Sequence, residues 1–281
     1  MPLEPSADSR AFNGVRVVVI AHGPPMRGGI ATVALDIVED PVLNEEFDVV
    51  FYNTSQNDDQ RGEFGLENVK RAFEHAWGTF KLARPGAVVH THSVQDPVFV
   101  AWRQVAIALA ARARGARVLM HNHAPPPYME PPGEYRITTA HRLGFRLLDK
   151  LVDANILIAA AGEPNLRQYM PTTELPVIAN SIEVDKVVPT TADHEPPVVL
   201  FVGEMLERKG LVVLMDALDI LEARGVTDYE LRIVGDNRPG LDPDKDAMTE
   251  LVTERGRARS MTGPLPREQV YEELAGADVY V

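Results

Sequence analysis

The sequence predicts an α/β protein built from parallel, doubly wound sheets, and three observations support this prediction. Short runs of β-branched and aliphatic residues alternate with segments whose apolar residues recur at helical spacing. The run VVLFV at 198–202 is apolar throughout, which is typical of a strand buried on both faces. A polar stretch with two prolines at 190–197 separates two groups of such elements. We therefore expect two domains, residues 1–189 and 198–281, joined by a linker at 190–197.

Composition and charge argue against several classes of function. Of the 281 residues, 45% are hydrophobic and 25% are charged, as in ordinary globular proteins. Residues 181–281 hold 11 Lys and Arg against 21 Asp and Glu, and this acidity argues against a nucleic-acid partner. The absence of cysteine excludes thiolate chemistry. No apolar run approaches the ~20 residues that a membrane-spanning helix needs. The first residues also lack the basic segment followed by an apolar segment that is typical of a signal peptide, so we expect a cytoplasmic protein.

In the first domain, strands and helices alternate. Aliphatic runs predict strands at residues 15–20, 47–52, 87–92, 117–123, 154–159 and 176–179. Apolar residues at helical spacing predict helices at 30–38, 97–114 and 135–151. Between the second and third strands, a further helix is predicted, and we expect its core face to be formed by Leu66, Val69, Phe73, Trp77 and Phe80.

The second domain starts with the strand at 198–202 and a helix whose leucines recur at helical spacing from Leu211 to Leu221. Strands at 231–236 and 258–261 and helices at 244–254 and 266–274 follow, the strand at 258–261 being short and poor in β-formers. The last strand, 277–281, has no following helix to cover it. Because a parallel strand is normally covered on both faces, we expect the chain to be a piece of a longer protein.

The segment from 203 to 210 has the composition of an anion-binding loop. Gly203 ends the first strand of the second domain, and Lys209-Gly210 directly precede a helix. The N-terminus of a helix leaves backbone N–H groups unpaired and carries partial positive charge, and a lysine adds a full charge. The simpler alternative is a glycine turn beside a solvated lysine.

A second glycine loop follows the first strand of the chain. Gly28 and Gly29 precede the predicted helix at 30–38, and glycine lets the backbone approach a ligand closely with its N–H groups available. The alternative is a simple tight turn. The G-x-G-x-x-G spacing of a dinucleotide site is missing here.

Taken in order, these motifs resemble the family 4 glycosyltransferases, which have the GT-B fold. FVGEMLERKGLVVLMDAL, LRIVGD and MTGPLPREQVYEELAGADVYV resemble the C-terminal half of that family. VVVIAHGPPMRGGIATVALDIV resembles its first strand, glycine loop and helix, and VLMHNHA its strand that ends in a histidine. The resemblance runs from residue 15 to residue 281 and implies two Rossmann-like domains, the second of them incomplete here.

The resemblance implies a retaining glycosyltransferase that moves a sugar from a nucleotide-diphosphate donor to a sugar, lipid or small-molecule acceptor. It implies no cofactor and no metal, because cationic side chains and helix N-termini take the charge of the leaving diphosphate. By resemblance, His123 contacts the sugar near the reacting carbon and is the expected catalytic residue. The expected diphosphate-binding residues are Lys209, Arg208, Gly28 and Gly29. The expected nucleobase region comprises Gly203, Thr262, Gly263 and Leu265.

The sequence departs from the family pattern in several respects, one of them Ser181, which stands where glycine is usual after Asn180. Glu204 stands where the family commonly has an arginine, which puts an anion where the diphosphate is expected, and Arg208 is a possible substitute. The chain also stops before the family's paired glutamates, which bind the donor sugar and ribose. We therefore expect this chain to be inactive by itself. A non-catalytic nucleotide-sugar-binding fragment, or a decayed homologue, is the competing interpretation, and a GT-B-like sugar-nucleotide epimerase is a third.

Two patterns point to metals. His90, His92, His121 and His123 form two H-x-H pairs at neighbouring strand ends, and each pair shares a strand face. Four such imidazoles could hold zinc, as in a metal-dependent hydrolase, although buried hydrogen-bonded histidines explain the pattern more simply. Asp242 and Asp244 form a D-x-D, but in a polar stretch that favours a solvated turn.

One predicted helix carries a row of basic residues. Arg136, Arg142, Arg146 and Lys150 lie close to Phe145 and Leu147. Such a face can contact anionic lipid head groups, which fits a lipid-linked acceptor and peripheral contact with the inner membrane face. A solvated helix face over an apolar core side is the alternative, because the first domain is not net basic.

Overall fold

The computed structural model describes residues 14–24, 28–55, 66–94, 98–124, 137–181, 194–235 and 243–281. The chain divides into two compact units, Met1–Ser181 and Ile182–Val281. Residues 190–193 of the predicted linker at 190–197 lie outside the described residues, and the contact boundary falls between 181 and 182. Each unit contains one parallel sheet. The α/β class with parallel sheets is thus confirmed.

The sheet of the amino-terminal unit has five parallel strands in the order β2-β1-β3-β4-β5. Their bounds are β1 Arg16–Ala21, β2 Asp48–Asn53, β3 Val88–Ser93, β4 Arg117–Asn122 and β5 Ala154–Leu157. The predicted strand at 176–179 is not a strand, because only single bridges join Leu157 to Val177 and Ala154 to Glu174. The strand order reverses between β1 and β3, and in open α/β sheets ligands bind outside the carboxyl ends of the strands at such a switch point.

Six helices are described in this unit. They are α1 Gly29–Glu39, α2 Pro41–Glu46, α3 Leu66–Leu82, α4 Val98–Ala113, α5 Thr139–Leu151 and α6 Glu163–Arg167. The short α2 was not predicted. Asp40 caps it by accepting a hydrogen bond of 2.8 Å from the backbone N–H of Leu43, and Pro41 stands at its first position, where the lost N–H costs nothing.

The apolar stripe of α3 faces solvent, so its predicted role as a core face is wrong. Val69, Phe73 and Trp77 are 64%, 71% and 52% exposed, and Phe80 is half-buried. The side chain of Leu66 lies outside the described residues. The helix instead buries its polar face, where Thr79 is fully buried.

The reason for this orientation is steric. A Cβ at Gly78 would overlap the hydroxyl group of Tyr52 on β2, so the face that carries this glycine is the one that can approach the sheet. The Thr79 hydroxyl donates to the backbone carbonyl of His75 at 2.8 Å, which satisfies its polar group inside the helix. Polar residues can therefore occupy the buried side.

The carboxyl-terminal unit has a four-stranded parallel sheet in the order β8-β7-β6-β9. Its strands are β6 Val198–Val202, β7 Glu230–Val234, β8 Met261–Gly263 and β9 Val279–Tyr280, and its helices are α7 Leu211–Ala223, α8 Pro243–Glu254 and α9 Arg267–Ala275. The predicted strand at 258–261 is displaced, because Ala258–Ser260 is a 3-10 turn and β8 follows it. The switch point of this sheet lies between β6 and β9.

The core of this unit forms where α7 packs on the sheet. Leu211, Leu214, Met215 and Leu218 are buried along one helix face, against Phe201 of β6. Leu221, which was predicted to continue that face, is 39% exposed. Within the parts of the chain that the structure describes, no helix is both long enough and apolar enough to cross a bilayer.

Candidate functional site

The loop between β6 and α7 lies at the switch point of the carboxyl-terminal sheet. Glu207–Lys209 form a short 3-10 turn, and Gly210 then takes a left-handed φ of 83° before α7 begins. A positive φ of this size favours glycine, so the sequence fixes the point where the helix begins. No side chain caps α7, and its first turn holds no acidic residue. Within the described residues, its first N–H groups are therefore left available to an anion.

Lys209 and Arg208, the two predicted diphosphate ligands, differ in availability. The Lys209 side chain is exposed, and it makes no hydrogen bond or ion pair with any other part of the chain that the structure describes. The guanidinium of Arg208 pairs with the Glu204 carboxylate at 3.3 Å, both side chains being about half exposed. Lys209 is therefore the cation that can bind a ligand without first breaking an ion pair.

Lys245 is a buried cation that the sequence analysis missed. It lies in the first turn of α8, only 4% exposed, and its Nζ is 3.8 Å from the second oxygen of Glu204. Burial of a lysine is costly unless its charge is compensated. Glu204 thus lies between two cations, which neutralise the anion that replaces the family's arginine. A lysine in the first turn of a helix gives no sequence signal for burial.

Three glycines line the carboxyl edge of this sheet. The Gly203 N–H donates to the carbonyl of Val234 at 2.9 Å, and the Gly235 N–H donates to the carbonyl of Gly263 at 3.2 Å. A Cβ on Gly235 would overlap the Gly203 carbonyl oxygen, so the strand ends approach one another with no side chain between them. Gly235 was not among the predicted site residues, although Gly235 ends a buried strand as Gly203 does.

The predicted nucleobase region falls on this same edge. Thr262 is exposed, and its hydroxyl donates to the carbonyl of Ile233 at 3.2 Å. Gly263 is buried with a φ of 81°, and Leu265 lies half-buried in the loop that leads to α9. Gly203 thus follows β6, and Thr262 and Gly263 lie on β8, with the end of β7 between them.

Gly28 and Gly29 begin α1 at the switch point of the amino-terminal sheet. Gly28 precedes the helix with a φ of 144°, which favours glycine, and Gly29 is its first residue. A Cβ at either position would meet no heavy atom of the described chain within 4 Å. α1 also lacks a capping side chain and an acidic residue in its first turn. As far as the described residues show, its N-terminus can therefore bind an anion as that of α7 can.

His123, the predicted catalytic residue, follows the end of β4. Its backbone N–H donates to the carbonyl of Ser93 at 3.0 Å, and its Nε2 lies 3.1 Å from Nδ1 of His92. Burial, with the nearby His121 as a smaller cause, lowers the pKa of His123 to about 4. The imidazole is therefore neutral at physiological pH and acts as a hydrogen-bonding group rather than as a charge.

The other three histidines of the two pairs form a buried cluster beside His123. β3 and β4 pair so that His121 lies opposite His92, while His90 shares the face of His92 two residues earlier. Ring centroids are 4.3 Å apart for His90 and His92 and 4.9 Å for His92 and His121. Burial lowers the pKa of each of the three. Each is at most 8% exposed, so the group is closed from bulk water.

The basic helix and the D-x-D are only partly described. On α5, Arg142, Arg146 and Lys150 are exposed, while Arg136 lies outside the described residues. A surface cavity of about 410 Å³ lies beside this helix and is lined by Leu143, Arg146, Leu147, Asp149, Lys150, Gln168, Tyr169 and Pro171.

Of the D-x-D pair, Asp242 is also outside the described residues. Asp244 lies in the first turn of α8 rather than in a loop, and accepts from the Glu207 N–H at 3.4 Å.

Comparison with models of known families gives a match in the carboxyl-terminal unit. Residues 185–281 match the family described as Glycosyl transferases group 1. This range contains the β6–α7 loop, the row of three glycines and Lys245. A search of curated protein sequences gave no significant match.

Solved structures agree on the fold. An α,α-trehalose-phosphate synthase (UDP-forming) from Burkholderia vietnamiensis is similar with a TM-score of 0.64 and 11% identity, over 94% of this chain and 77% of that one. The trehalose-6-phosphate protein of E. coli bound with UDP-2-fluoro glucose gives 0.65 and 12%, over 94% and 77%. The S. aureus MnaA–UDP structure gives 0.56 and 12%, over 95% and 74%. Residues 185–281 thus match the model of the group 1 glycosyltransferases, and the solved structures show that the chain has the GT-B fold.

Proposed function

We propose that the protein is a retaining glycosyltransferase that moves a sugar from a nucleotide-diphosphate donor to a sugar or lipid-linked acceptor. One observation carries the proposal. Lys209, an exposed lysine that has no partner among the described residues, stands just before the uncapped N-terminus of α7, at the switch point of a unit that matches group 1 glycosyltransferases. That arrangement suits a diphosphate, whose negative charge increases as the glycosidic bond breaks.

In this proposal the leaving diphosphate is stabilised by the protein's own charges. The ammonium group of Lys209 and the first N–H groups of α7 bind its oxygens. The open N-terminus of α1, at Gly28 and Gly29, supplies further N–H groups to phosphate or to the transferred sugar. Because these groups are fixed before the reaction, no metal ion is needed at the diphosphate.

His123 acts in this proposal as a positioning group for the transferred sugar. Its neutral ring has one donor and one acceptor nitrogen, and Nε2 already makes the hydrogen bond to His92. Nδ1 is then the nitrogen available to a sugar hydroxyl. A contact of this kind near the reacting carbon orients the donor without adding a charge.

A panel of donors tests the proposal on the purified chain. UDP-glucose is the first to try, because similar structures were solved with UDP or UDP-2-fluoro glucose. A donor that binds the native state at 100 times its dissociation constant adds about 2.7 kcal/mol of stability, which a thermal shift detects. We expect a shift with one nucleoside diphosphate and its sugars. No shift with UDP-, GDP- or ADP-sugars would contradict the proposal.

Transfer itself is measured separately, on a form of the protein that carries the paired glutamates, because this chain is expected to be inactive by itself and binding without transfer describes a non-catalytic nucleotide-sugar-binding protein. Release of nucleoside diphosphate in the presence of simple sugar or lipid-linked acceptors tests for transfer, and the anomeric configuration of the product by NMR tests for retention. A donor-induced thermal shift with no release for any acceptor would favour the binding protein. Net hydrolysis alone would favour the hydrolase considered from the sequence.

The lipid-linked acceptor class predicts peripheral contact with anionic membranes through α5. Arg142, Arg146 and Lys150 project from one side of this helix, beside the exposed Leu143 and the surface cavity. We expect sedimentation with vesicles that contain phosphatidylglycerol and little with phosphatidylcholine alone, because each basic residue near an anionic surface contributes about 1 kcal/mol. The Arg146→Glu/Lys150→Glu variant should remain in the supernatant. Equal sedimentation of this variant and wild type would remove α5 from the contact.

A further inference from the structure

Three imidazoles converge on the buried face of the amino-terminal sheet. One ring nitrogen each from His90, His92 and His121 can be chosen so that all three lie within 4.8 Å of one another. His90 and His92 are two residues apart on β3, and β4 places His121 directly opposite His92. Strand geometry, rather than a flexible loop, therefore sets the positions of the three rings. Rigid elements of this kind are the best supports for a metal site.

Four of the six ring nitrogens of this cluster have no partner in the described chain. Nε2 of His90, Nε2 of His92 and both nitrogens of His121 are buried and have no hydrogen-bond partner there. Buried polar groups in folded proteins are normally paired, so four unpaired nitrogens at one place need an explanation. Burial also favours the neutral imidazole, which is the form that binds a metal. A bound cation would use the lone pairs that are otherwise unsatisfied.

We propose that His90, His92 and His121 form a zinc site in the amino-terminal unit, separate from the diphosphate-binding groups of the carboxyl-terminal unit. Imidazole is a preferred zinc ligand, and three histidines with an open fourth position form a known zinc geometry. Zn–N bonds of about 2.0–2.1 Å place ligand nitrogens about 3.4 Å apart in a tetrahedron, so nitrogens that now lie within 4.8 Å of one another approach by up to about 1.4 Å when the metal binds.

His123 completes the arrangement as a partner of one ligand. Its Nε2 lies 3.1 Å from Nδ1 of His92, while the unpaired Nε2 of His92 is left for the metal. Zinc-bound histidines almost always donate their other N–H to a neighbouring acceptor, which fixes the tautomer of the ligand. Here the acceptor is His123 Nε2, so zinc also fixes the proton of His123 on Nδ1. The metal would thus set the tautomer of the residue that is expected to contact the sugar.

The test uses the full chain without a polyhistidine tag. The protein is stripped with chelator, incubated with excess zinc chloride and desalted, and the metal is measured by mass spectrometry. We expect about one zinc per chain. Cobalt(II) loaded in the same way should give the visible absorption of a tetrahedral nitrogen site. Long-range ¹H–¹⁵N spectra of the wild-type chain should show zinc-dependent shifts at these three histidines, which tests the site without any substitution.

Variants then locate the site. His90→Gln and His121→Gln should each lower the retained zinc at least tenfold. The matched control is His75→Gln, because His75 is also a buried histidine of this unit but lies on α3. Wild-type protein that retains less than a tenth of an equivalent would overturn the proposal, as would full retention by the His90→Gln/His121→Gln double variant. None of these measurements depends on a donor, so they stand apart from the test of sugar transfer.

Discussion

Replacing Lys209 with alanine should abolish the thermal shift that a nucleotide-sugar donor produces. Lys209 has no other partner in the part of the chain that the structure describes, so its charge is available to the diphosphate. A hydrogen bond to a charged group contributes about 1.5–3 kcal/mol, which corresponds to roughly 10–150-fold in affinity. At donor concentrations near the wild-type dissociation constant, that loss removes the shift. The melting temperature of the free protein should hardly change, because the side chain is exposed.

The matched control is Arg224→Ala. Arg224 is an exposed cation at the opposite end of α7, so its removal changes the net charge equally without touching the N-terminus. It should leave the shift intact. Lys209→Arg should keep part of the shift, because the charge is preserved in a different shape. A wild-type shift in Lys209→Ala would exclude Lys209 from the donor site, and equal losses in both alanine variants would point to net charge alone.

The order of strands and helices follows closely from the sequence because its signals are local. Runs such as VVVI and VVLFV are apolar at every position, which only strands covered on both faces of a parallel sheet require. Positive-φ glycines mark the start of α7 at Gly210 and of α1 at Gly28, and a glycine signal is visible in sequence. Most boundaries differ by a residue or two, as expected where caps rather than periodicity decide them, but α5 begins four residues later than predicted, directly after the capping Thr138.

The orientation of α3 could not be predicted, because it depends on a contact distant in sequence. Helical spacing identifies an apolar stripe, but not which side the sheet accepts. The decisive contact is between Gly78 and the Tyr52 ring on β2, 26 residues earlier in the chain. An aromatic stripe that includes Phe73 and Trp77 is consequently left in solvent.

The candidate site was predicted only where a single segment forms it. Lys209, Gly28 and Gly29 lie at helix starts that the sequence marks clearly. Lys245 was missed because its burial depends on α8 lying beside Glu204. The histidine cluster was predicted in part. Each H-x-H pair is visible in the sequence, but only the register of β3 and β4 decides that His92 faces His121.

A second large effect is expected for Gly235→Ala, which should destabilise the carboxyl-terminal unit by about 1–3 kcal/mol. The new Cβ would overlap the carbonyl oxygen of Gly203 and come within 3.3 Å of the buried Met205 side chain. Because the overlap is with backbone, relief requires the ends of β6 and β7 to move apart. For a unit of this size, we expect the melting temperature to fall by about 4 °C or more.

The control is Gly276→Ala, in the same unit. Gly276 has a φ of −92°, and the nearest atom to its added Cβ is the Glu272 carbonyl oxygen at 3.4 Å, so alanine should fit with little change in stability. Donor binding should weaken in Gly235→Ala and not in Gly276→Ala, because only the former moves the edge that carries Gly203 and Gly263. If Gly235→Ala melts at the wild-type temperature and binds donor normally, the close approach of the strand ends is not a requirement of this site, and the nucleobase must bind elsewhere.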